Sequence, residues 1–177
     1  MFVWVGINVE DQLKETRMAV DGVFEKIDIS NVTCQLPLHI SLKISFEINN
    51  SLFESVLSDI VAIYSAQKPF EMKIKGIEKL ENIEWIRMYS NERVELLATK
   101  LNMMLKEKYG IPLHEYDLDF ILHTTLFMDG DADKINAAHN LLGNLELPKT
   151  LVANTFVIGK SETGKNGTYR VYKTINI

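Results

Sequence analysis

One short pattern occurs twice in this chain, and it constrains the fold more than any other feature. The segment 38–42 reads Leu-His-Ile-Ser-Leu, and the segment 122–126 reads Leu-His-Thr-Thr-Leu. Both lie within runs in which apolar and polar residues alternate, which is typical of a β-strand with one covered face. Residues two apart on a strand point to the same side, so each segment presents an imidazole and a hydroxyl together. The fold must therefore contain two strands, each of which presents a histidine and a hydroxyl on one face.

Four residues are the candidate catalytic groups: His39, Ser41, His123 and Thr125. A histidine on a half-buried strand is more often structural than catalytic. Two of the four histidines nevertheless fall in the same local pattern, each with a hydroxyl two residues later. If the strands face each other, one site holds two titratable bases and two hydroxyl donors. Such a site can transfer protons and stabilise charge on a phosphate ester without a metal.

The remaining chemistry-bearing residues predict no metal and no cofactor. Cys34 is the single cysteine, and no histidines and carboxylates are clustered at metal-ligand spacing. The Gly164–Gly167 stretch predicts a hairpin turn and not a phosphate-binding loop. Ser41 as a covalent nucleophile would need a dedicated base and an oxyanion hole, which a duplicated pattern does not supply. His114 and His139 have no comparable neighbours and are predicted to lie on the surface.

Length and composition fit one cytoplasmic domain built from two small lobes. The chain has 177 residues, 46% of them hydrophobic and 24% charged, and its net charge of −5 argues against a long nucleic-acid track. A single cysteine fits a reducing compartment and argues against a disulfide scaffold. The N-terminus lacks the basic segment of a signal peptide, and no apolar run reaches the roughly 20 residues that span a bilayer. We expect a monomer without a membrane partner.

The order of predicted elements also repeats. The histidines are 123 − 39 = 84 residues apart, and each half contains a helix, the histidine strand, a second helix and two further strands. We therefore predict an α+β fold with half-repeats at about 1–88 and 89–177. Strands are predicted over 2–9, 34–48, 70–77, 83–89, 120–128, 151–160 and 168–176, and helices over about 10–26, 51–65, 91–108 and 132–145.

The two motifs resemble the paired His-x-Ser/Thr-x signatures (HxTx motifs) of the two-histidine (2H) phosphoesterase superfamily, which includes 2′-5′ RNA ligase-like proteins and cyclic nucleotide phosphodiesterases. The stretches 70–105 and 157–171 resemble the paired strands, following helix and terminal hairpin of that family. The resemblance implies a single domain with a bilobal, pseudo-twofold duplicated fold. Two antiparallel β-sheets would line a central cleft, and helices would cover the outer faces.

The same resemblance implies a metal-independent phosphodiesterase. One histidine would act as the base and the other as the acid, and Ser41 and Thr125 would hydrogen-bond the phosphate. Expected substrates are 2′,3′-cyclic phosphate ends of short RNA, small cyclic nucleotides and 2′-5′ linked oligonucleotides, and ligation would be the reverse reaction. Two alternatives stay open: a non-catalytic module that binds a nucleotide or RNA end, and an unrelated α+β protein with coincidental motifs.

Three residues are expected to bind substrate. Lys43 matches a basic position that often follows the first motif, whereas Phe127 follows the second motif where several relatives carry a basic residue. Phe127, Tyr169 and Trp85 are candidates for stacking on a base, with core packing as the alternative for each.

Overall fold

A computed structural model describes residues 1–29, 35–143 and 145–177, so Cys34, the first residue of the predicted second strand, lies outside the described residues. The helices are α1 (Lys14–Phe24), α2 (Phe53–Ser65), α3 (Glu92–Tyr109), α4 (Glu115–Leu118) and α5 (Ala132–Leu142), and 3₁₀ turns at Glu10–Leu13 and Asn50–Leu52 precede the first two. The strands are β1 (Phe2–Asn8), β2 (His39–Glu47), β3 (Phe70–Lys79), β4 (Ile83–Met88), β5 (His123–Met128), β6 (Thr150–Ala153), β7 (Thr155–Ser161) and β8 (Arg170–Asn176).

All of these strands belong to one antiparallel sheet in the order β6-β3-β4-β5-β2-β1-β7-β8. The sheet consists of two four-stranded lobes, one with β2, β1, β7 and β8 and the other with β5, β4, β3 and β6. The lobes meet where β2 pairs with β5 through Ile40 and Thr124. The predicted bilobal α+β fold is confirmed, and its two antiparallel lobes are continuous through this pair.

The lobes do not follow the order of the sequence. Each lobe takes strands from both sides of residue 88, so the predicted half-repeats describe the order of elements and do not delimit the lobes. The strand predicted over 151–160 is in fact two strands separated at Asn154. Its first part pairs with β3 in one lobe, and its second part pairs with β1 and β8 in the other. Alternation alone cannot reveal this crossing, because both parts are half-covered strands.

The two faces of the central strands have different roles. One face is buried in the same core as apolar residues from the helices. This face carries Ile40 and Leu42 of β2, Leu126 of β5 and Leu122, the residue before β5. The helix residues in that core include Val20, Ile60, Leu101 and Ile135. His39, Ser41, His123 and Thr125 lie on the opposite face and are half-buried. The clean alternation in the sequence therefore results from a sheet with helices on one side and a cleft on the other.

Helix α3 illustrates how local sequence sets the element boundaries. The Asn91 side chain accepts hydrogen bonds from the backbone N–H groups of Arg93 and Val94, which otherwise have no partner in the first turn. Gly110 ends the helix with φ of 69°, a left-handed conformation that glycine adopts without steric cost. No helix within the described ranges has the length and apolar character needed to cross a membrane.

Candidate active site

The junction of the two lobes brings the two motifs together. Ile40 lies opposite Thr124 in an antiparallel pair. That register sets His39 opposite the motif hydroxyl of β5, and His123 opposite the motif hydroxyl of β2. His39, Ser41, His123 and Thr125 all line one cavity of about 190 Å³. The four residues selected from the sequence thus line the same cavity. Each imidazole lies near the hydroxyl of its own motif and near the hydroxyl of the other motif.

Each imidazole is held by a backbone carbonyl two residues earlier. Nδ1 of His39 lies 2.7 Å from the carbonyl oxygen of Pro37, and Nδ1 of His123 lies 2.8 Å from that of Ile121. A carbonyl only accepts hydrogen bonds, so both Nδ1 atoms carry a proton and donate. Nε2 is therefore the atom of each ring that is left to exchange protons with a ligand. The two rings are fixed in the same tautomer by the same local device.

A tryptophan packs against each imidazole. The ring centroids of Trp4 and His39 are 4.4 Å apart, and those of Trp85 and His123 are also 4.4 Å apart. Both indoles are almost completely buried, at 4% and 8% exposure. They restrict rotation of the imidazoles and shield one ring face from water. Trp4 was missed by the sequence analysis, although it lies next to the first motif strand in an apolar β-strand.

The two tryptophans reach their histidines differently. Trp85 lies opposite Thr125 in the β4–β5 register, whereas the matching position opposite Ser41 is Gly6. A Cβ at Gly6 would lie 3.1 Å from both the Trp4 ring and His39 Cδ2. Trp4 therefore extends across a glycine to its histidine. Gly159 gives space on the other side, because a Cβ there would lie 1.9 Å from Trp4 Nε1.

An ion pair fixes the segment that orients His39. Glu10 and Arg17 form a two-pronged salt bridge with N–O distances of 2.9 and 3.1 Å. Glu10 Oε2 also accepts a 2.5 Å hydrogen bond from the N–H of Leu38, and Arg17 donates to the carbonyl of Leu36 at 3.0 Å. The ion pair thus fixes Leu36 and Leu38, the two neighbours of Pro37. The Pro37 carbonyl in turn accepts the hydrogen bond from the His39 imidazole. Sequence reasoning missed Glu10 and Arg17, because their partners are backbone atoms distant in the chain.

Burial shifts both imidazoles towards the neutral form. Desolvation lowers the pKa of His39 below its ordinary value, against the opposing effect of the bond to Pro37. His123 and Arg17 lower the pKa of His39 further through their charge. Desolvation also lowers the pKa of His123, with Arg87 as an additional cause. The empty site near neutral pH therefore contains two proton acceptors.

Matching β-bulges follow the two motifs and change which residues face the cleft. Register shifts put one extra residue into β2 between Ser41 and Lys43, and one into β5 between Thr125 and Phe127. As a result, two successive residues are buried in each strand, Leu42 with Lys43 and Leu126 with Phe127. Simple alternation predicted Lys43 and Phe127 on the cleft face. The bulges turn both towards the interior.

The expected substrate-binding roles of Lys43 and Phe127 are therefore not supported. The Lys43 side chain is 2% exposed, its ammonium forms an ion pair with Asp117, and it donates to the carbonyl of Pro112 at 3.4 Å. Phe127 is fully buried and packs edge-on against Phe24, with ring centroids 5.4 Å apart. Neither side chain lines the cavity between the histidines.

Tyr169 lines the cavity, and its expected contact with substrate stays a prediction. Its hydroxyl is already hydrogen-bonded within the protein. Its oxygen is 2.5 Å from Ser45 Oγ and 3.3 Å from the carbonyl of Gly164. Tyr169 therefore ties the terminal hairpin to β2 at the cavity wall. Met128, which the bulge turns outward, lines the same cavity.

The other two histidines lie away from the motif pair. His114 is exposed and caps α4 by accepting from the N–H of Tyr116. His139, predicted to be a surface residue, has a side chain that is 44% exposed, and its Nδ1 lies 2.8 Å from the fully buried carboxylate of Glu84. Within the described residues, histidine, cysteine and acidic side chains form no group of three or more that could hold a metal ion.

The lowered pKa values predict a pH-dependent stability. Between the ordinary value of 6.5 and the lower folded values, the unfolded chain binds more protons than the folded chain. The free energy of unfolding, measured with urea, should therefore fall as the pH drops below about 6.5. A His39→Gln, His123→Gln double variant should lose less stability over that range. An unchanged pH dependence in the double variant would contradict this assignment.

Replacing Glu10 should affect one histidine only. The Glu10 carboxylate favours the charged form of His39, so Glu10→Gln should lower the pKa of His39 and leave that of His123 unchanged. NMR titration of the two imidazoles measures both in one sample. The exposed Glu15→Gln on α1 is the matched control. Equal shifts at both imidazoles would indicate a general structural effect instead of local positioning.

The fold has counterparts among solved structures. TT0787 of Thermus thermophilus matches with a TM-score of 0.66 and 18% identity, covering 99% of this chain and 97% of that one. A structure described as a phosphoesterase matches with a TM-score of 0.63, 15% identity and coverage of 99% and 97%. E. coli LigT matches with a TM-score of 0.59, 15% identity and coverage of 99% and 96%, and it has also been solved in complex with 3′-AMP.

No protein-family model and no curated protein matches the sequence. The structural matches span nearly the full length of both chains, and the neighbours belong to one superfamily. Together with the junction that unites the two motifs, they lead to one conclusion: this chain has the fold of the two-histidine (2H) phosphoesterases.

Proposed function

We propose that this protein is a metal-independent phosphodiesterase that acts on a nucleotide or a short RNA end. The observation that carries the proposal is the pair of imidazoles in one cavity, both with Nδ1 bonded to a backbone carbonyl. This arrangement leaves two Nε2 atoms for proton transfer. Acid–base catalysis needs two such groups with pKa values near the working pH.

The proposed reaction is hydrolysis of a 2′,3′-cyclic phosphate or a related diester. Nε2 of one neutral imidazole accepts a proton from the attacking water while the water oxygen bonds to phosphorus. Nε2–H of the other, protonated imidazole gives its proton to the ribose oxygen as the P–O bond breaks. The products are a phosphate monoester and a free hydroxyl. When a nucleotide hydroxyl replaces water as the group that attacks the cyclic phosphate, the same two proton transfers form a P–O bond to that nucleotide and release the other ribose oxygen as a hydroxyl, so two ends are joined.

Ser41 and Thr125 are proposed to bind the phosphate. Both hydroxyls line the cavity and lie on the strand face that carries the imidazoles. Hydrogen bonds to the non-bridging oxygens stabilise the charge that the phosphoryl group carries in the transition state. A bound phosphate anion also favours the protonated form of a neighbouring imidazole. It therefore opposes the desolvation that keeps both rings neutral in the empty site.

The comparisons support a nucleotide as the substrate class. E. coli LigT, which shares the fold, binds 3′-AMP in one of its crystal structures. The structure of Usb1 from Kluyveromyces marxianus matches over 99% of this chain with a TM-score of 0.51. We propose 2′,3′-cyclic nucleotides, RNA ends that carry a cyclic phosphate and 2′-5′ linked dinucleotides as the first substrates to test.

Removing either imidazole should abolish most of the turnover. His39→Gln and His123→Gln should each lower kcat by roughly 10²- to 10⁴-fold, the usual contribution of a general acid or base. Substrate affinity should change much less. The combined loss should be less than additive, because the acid and the base act as a unit. The measurement is kcat and KM of wild type and of each variant with a panel of 2′,3′-cyclic nucleotides and of 2′-5′ and 3′-5′ dinucleotides.

Glu15→Gln on α1 is the control, because Glu15 is exposed and lies outside both the cavity between the imidazoles and the one that adjoins it. It should keep wild-type activity. If wild type binds a nucleotide in titrations but turns over no member of the panel, the protein is a nucleotide- or RNA-end-binding module instead. If both imidazole variants keep full activity, the proposed mechanism is wrong.

Activity on the best substrate should survive an excess of chelator. Two imidazoles and two hydroxyls account for proton transfer and charge stabilisation, so no step requires a Lewis acid. Turnover measured before and after dialysis against EDTA should agree within error. Loss of activity with EDTA, followed by recovery with a single divalent ion, would replace this mechanism with a metal-dependent one.

A further inference from the structure

A second cavity of about 450 Å³ opens beside His123. It shares Ser41, His123, Thr125 and Met128 with the cavity between the imidazoles, so the two cavities adjoin. Its volume lies within the usual range of small-molecule sites. If the proposed function is correct, a phosphodiester bound between the imidazoles would extend one of its ester groups into this second cavity.

The walls of the second cavity suit a flat, largely apolar group. Its aromatic lining includes Trp85, Phe120 and Tyr116. Tyr116 is 61% exposed and Leu80 is 52% exposed, so both lie where the cavity meets solvent. Exposed apolar side chains grouped around a concave site indicate a ligand that covers them. A nucleobase has the required shape and stacks on aromatic rings.

The charges around this cavity are all negative. Asp117 and Asp119 are the acidic residues of its lining, and no lysine or arginine is among the described lining residues. Lys43 neutralises Asp117 through their buried ion pair. Asp119 is exposed, and its carboxylate forms no ion pair or hydrogen bond with another described residue. One uncompensated carboxylate therefore remains at the cavity mouth.

We propose that the cavity beside His123 holds the nucleoside of the substrate, and that Asp119 selects against a second phosphate on that nucleoside. The Asp119 carboxylate accepts hydrogen bonds from base or sugar donors but repels a phosphate at the same place. The preferred substrate is a nucleoside 2′,3′-cyclic phosphate with a free 5′-hydroxyl. The 5′-phosphorylated form of the same nucleotide is a poor substrate.

The test compares 2′,3′-cyclic AMP with its 5′-phosphorylated form as substrates. Wild type should show at least roughly tenfold higher kcat/KM for the form without the 5′-phosphate. Asp119→Asn should reduce this preference by roughly threefold or more, because it removes the repelling charge at an exposed position. That change should come from a lower KM for the 5′-phosphorylated substrate. Asp133→Asn is the matched control at an exposed position outside both cavities, and it should leave the preference unchanged.

A second variant tests the apolar wall. Tyr116→Ala should raise KM for 2′,3′-cyclic AMP severalfold with little change in kcat, since stacking contributes to binding and not to proton transfer. It should leave the Ki of inorganic phosphate unchanged, because phosphate alone does not reach Tyr116. Equal weakening of phosphate and nucleotide would overturn the assignment of this wall to the nucleoside.

The proposal fails on its own if wild type hydrolyses 2′,3′-cyclic AMP but Asp119→Asn leaves the preference unchanged. It also fails if wild type prefers the 5′-phosphorylated substrate. If wild type hydrolyses neither compound and no other member of the substrate panel, the proposed function is what fails. In that case, titrations with 3′-AMP and with adenosine 3′,5′-bisphosphate measure the same preference in binding. The cavity proposal is supported if wild type binds 3′-AMP more tightly than the bisphosphate and Asp119→Asn loses this preference. Equal binding of the two compounds by wild type overturns the proposal.

Discussion

The site depends on one antiparallel contact between the lobes. Ile40 of β2 lies opposite Thr124 of β5, and this pair sets the register in which the two motifs meet. Because side chains alternate along a strand, a slip of one residue here would move an imidazole from the cleft to the core. The interior position of Ile40 and Thr124, at 0% and 1% exposure, opposes such a slip. The core that stabilises the fold thus also sets the position of the two bases.

Sequence patterning predicted which side chains face the cleft only for the part of each strand in which inward-facing and outward-facing residues alternate strictly. His39 and His123, with their hydroxyl partners, face the cleft because they precede the bulges. Lys43 and Phe127, four residues after each histidine, follow the bulges and turn inward. The bulge in β5 leaves only the apolar pair Leu126 and Phe127 as a signal in the sequence, and the bulge in β2 leaves none, because the residue buried after Leu42 is a lysine. Asn154, where one predicted strand divides between the lobes, escaped prediction because strand pairing over long sequence distances is not encoded locally.

The pseudo-twofold symmetry of the site is incomplete, and the differences bear on how the two imidazoles share their roles. The carbonyl that orients His39 belongs to a segment fixed by Glu10 and Arg17. The carbonyl that orients His123 lies just before β5, and the next residue, Leu122, accepts a backbone hydrogen bond from Met88. Besides desolvation, the charges of His123, Arg17 and Glu10 act on the pKa of His39, whereas the charge of Arg87 acts on that of His123. The acid and the base need not be interchangeable, even though their motifs repeat.

The lowered pKa values make the charge of the ligand part of the proposed chemistry. Catalysis requires one protonated and one neutral imidazole, but desolvation favours two neutral rings in the empty cavity. Lys43 does not disfavour an imidazolium further, because its cation is paired with Asp117 and its side chain does not line the cavity. A phosphate anion between the rings supplies the missing stabilisation of an imidazolium. Neutral esters of the same shape cannot do so, and the proposed mechanism therefore favours an anionic diester both in binding and in forming the acid.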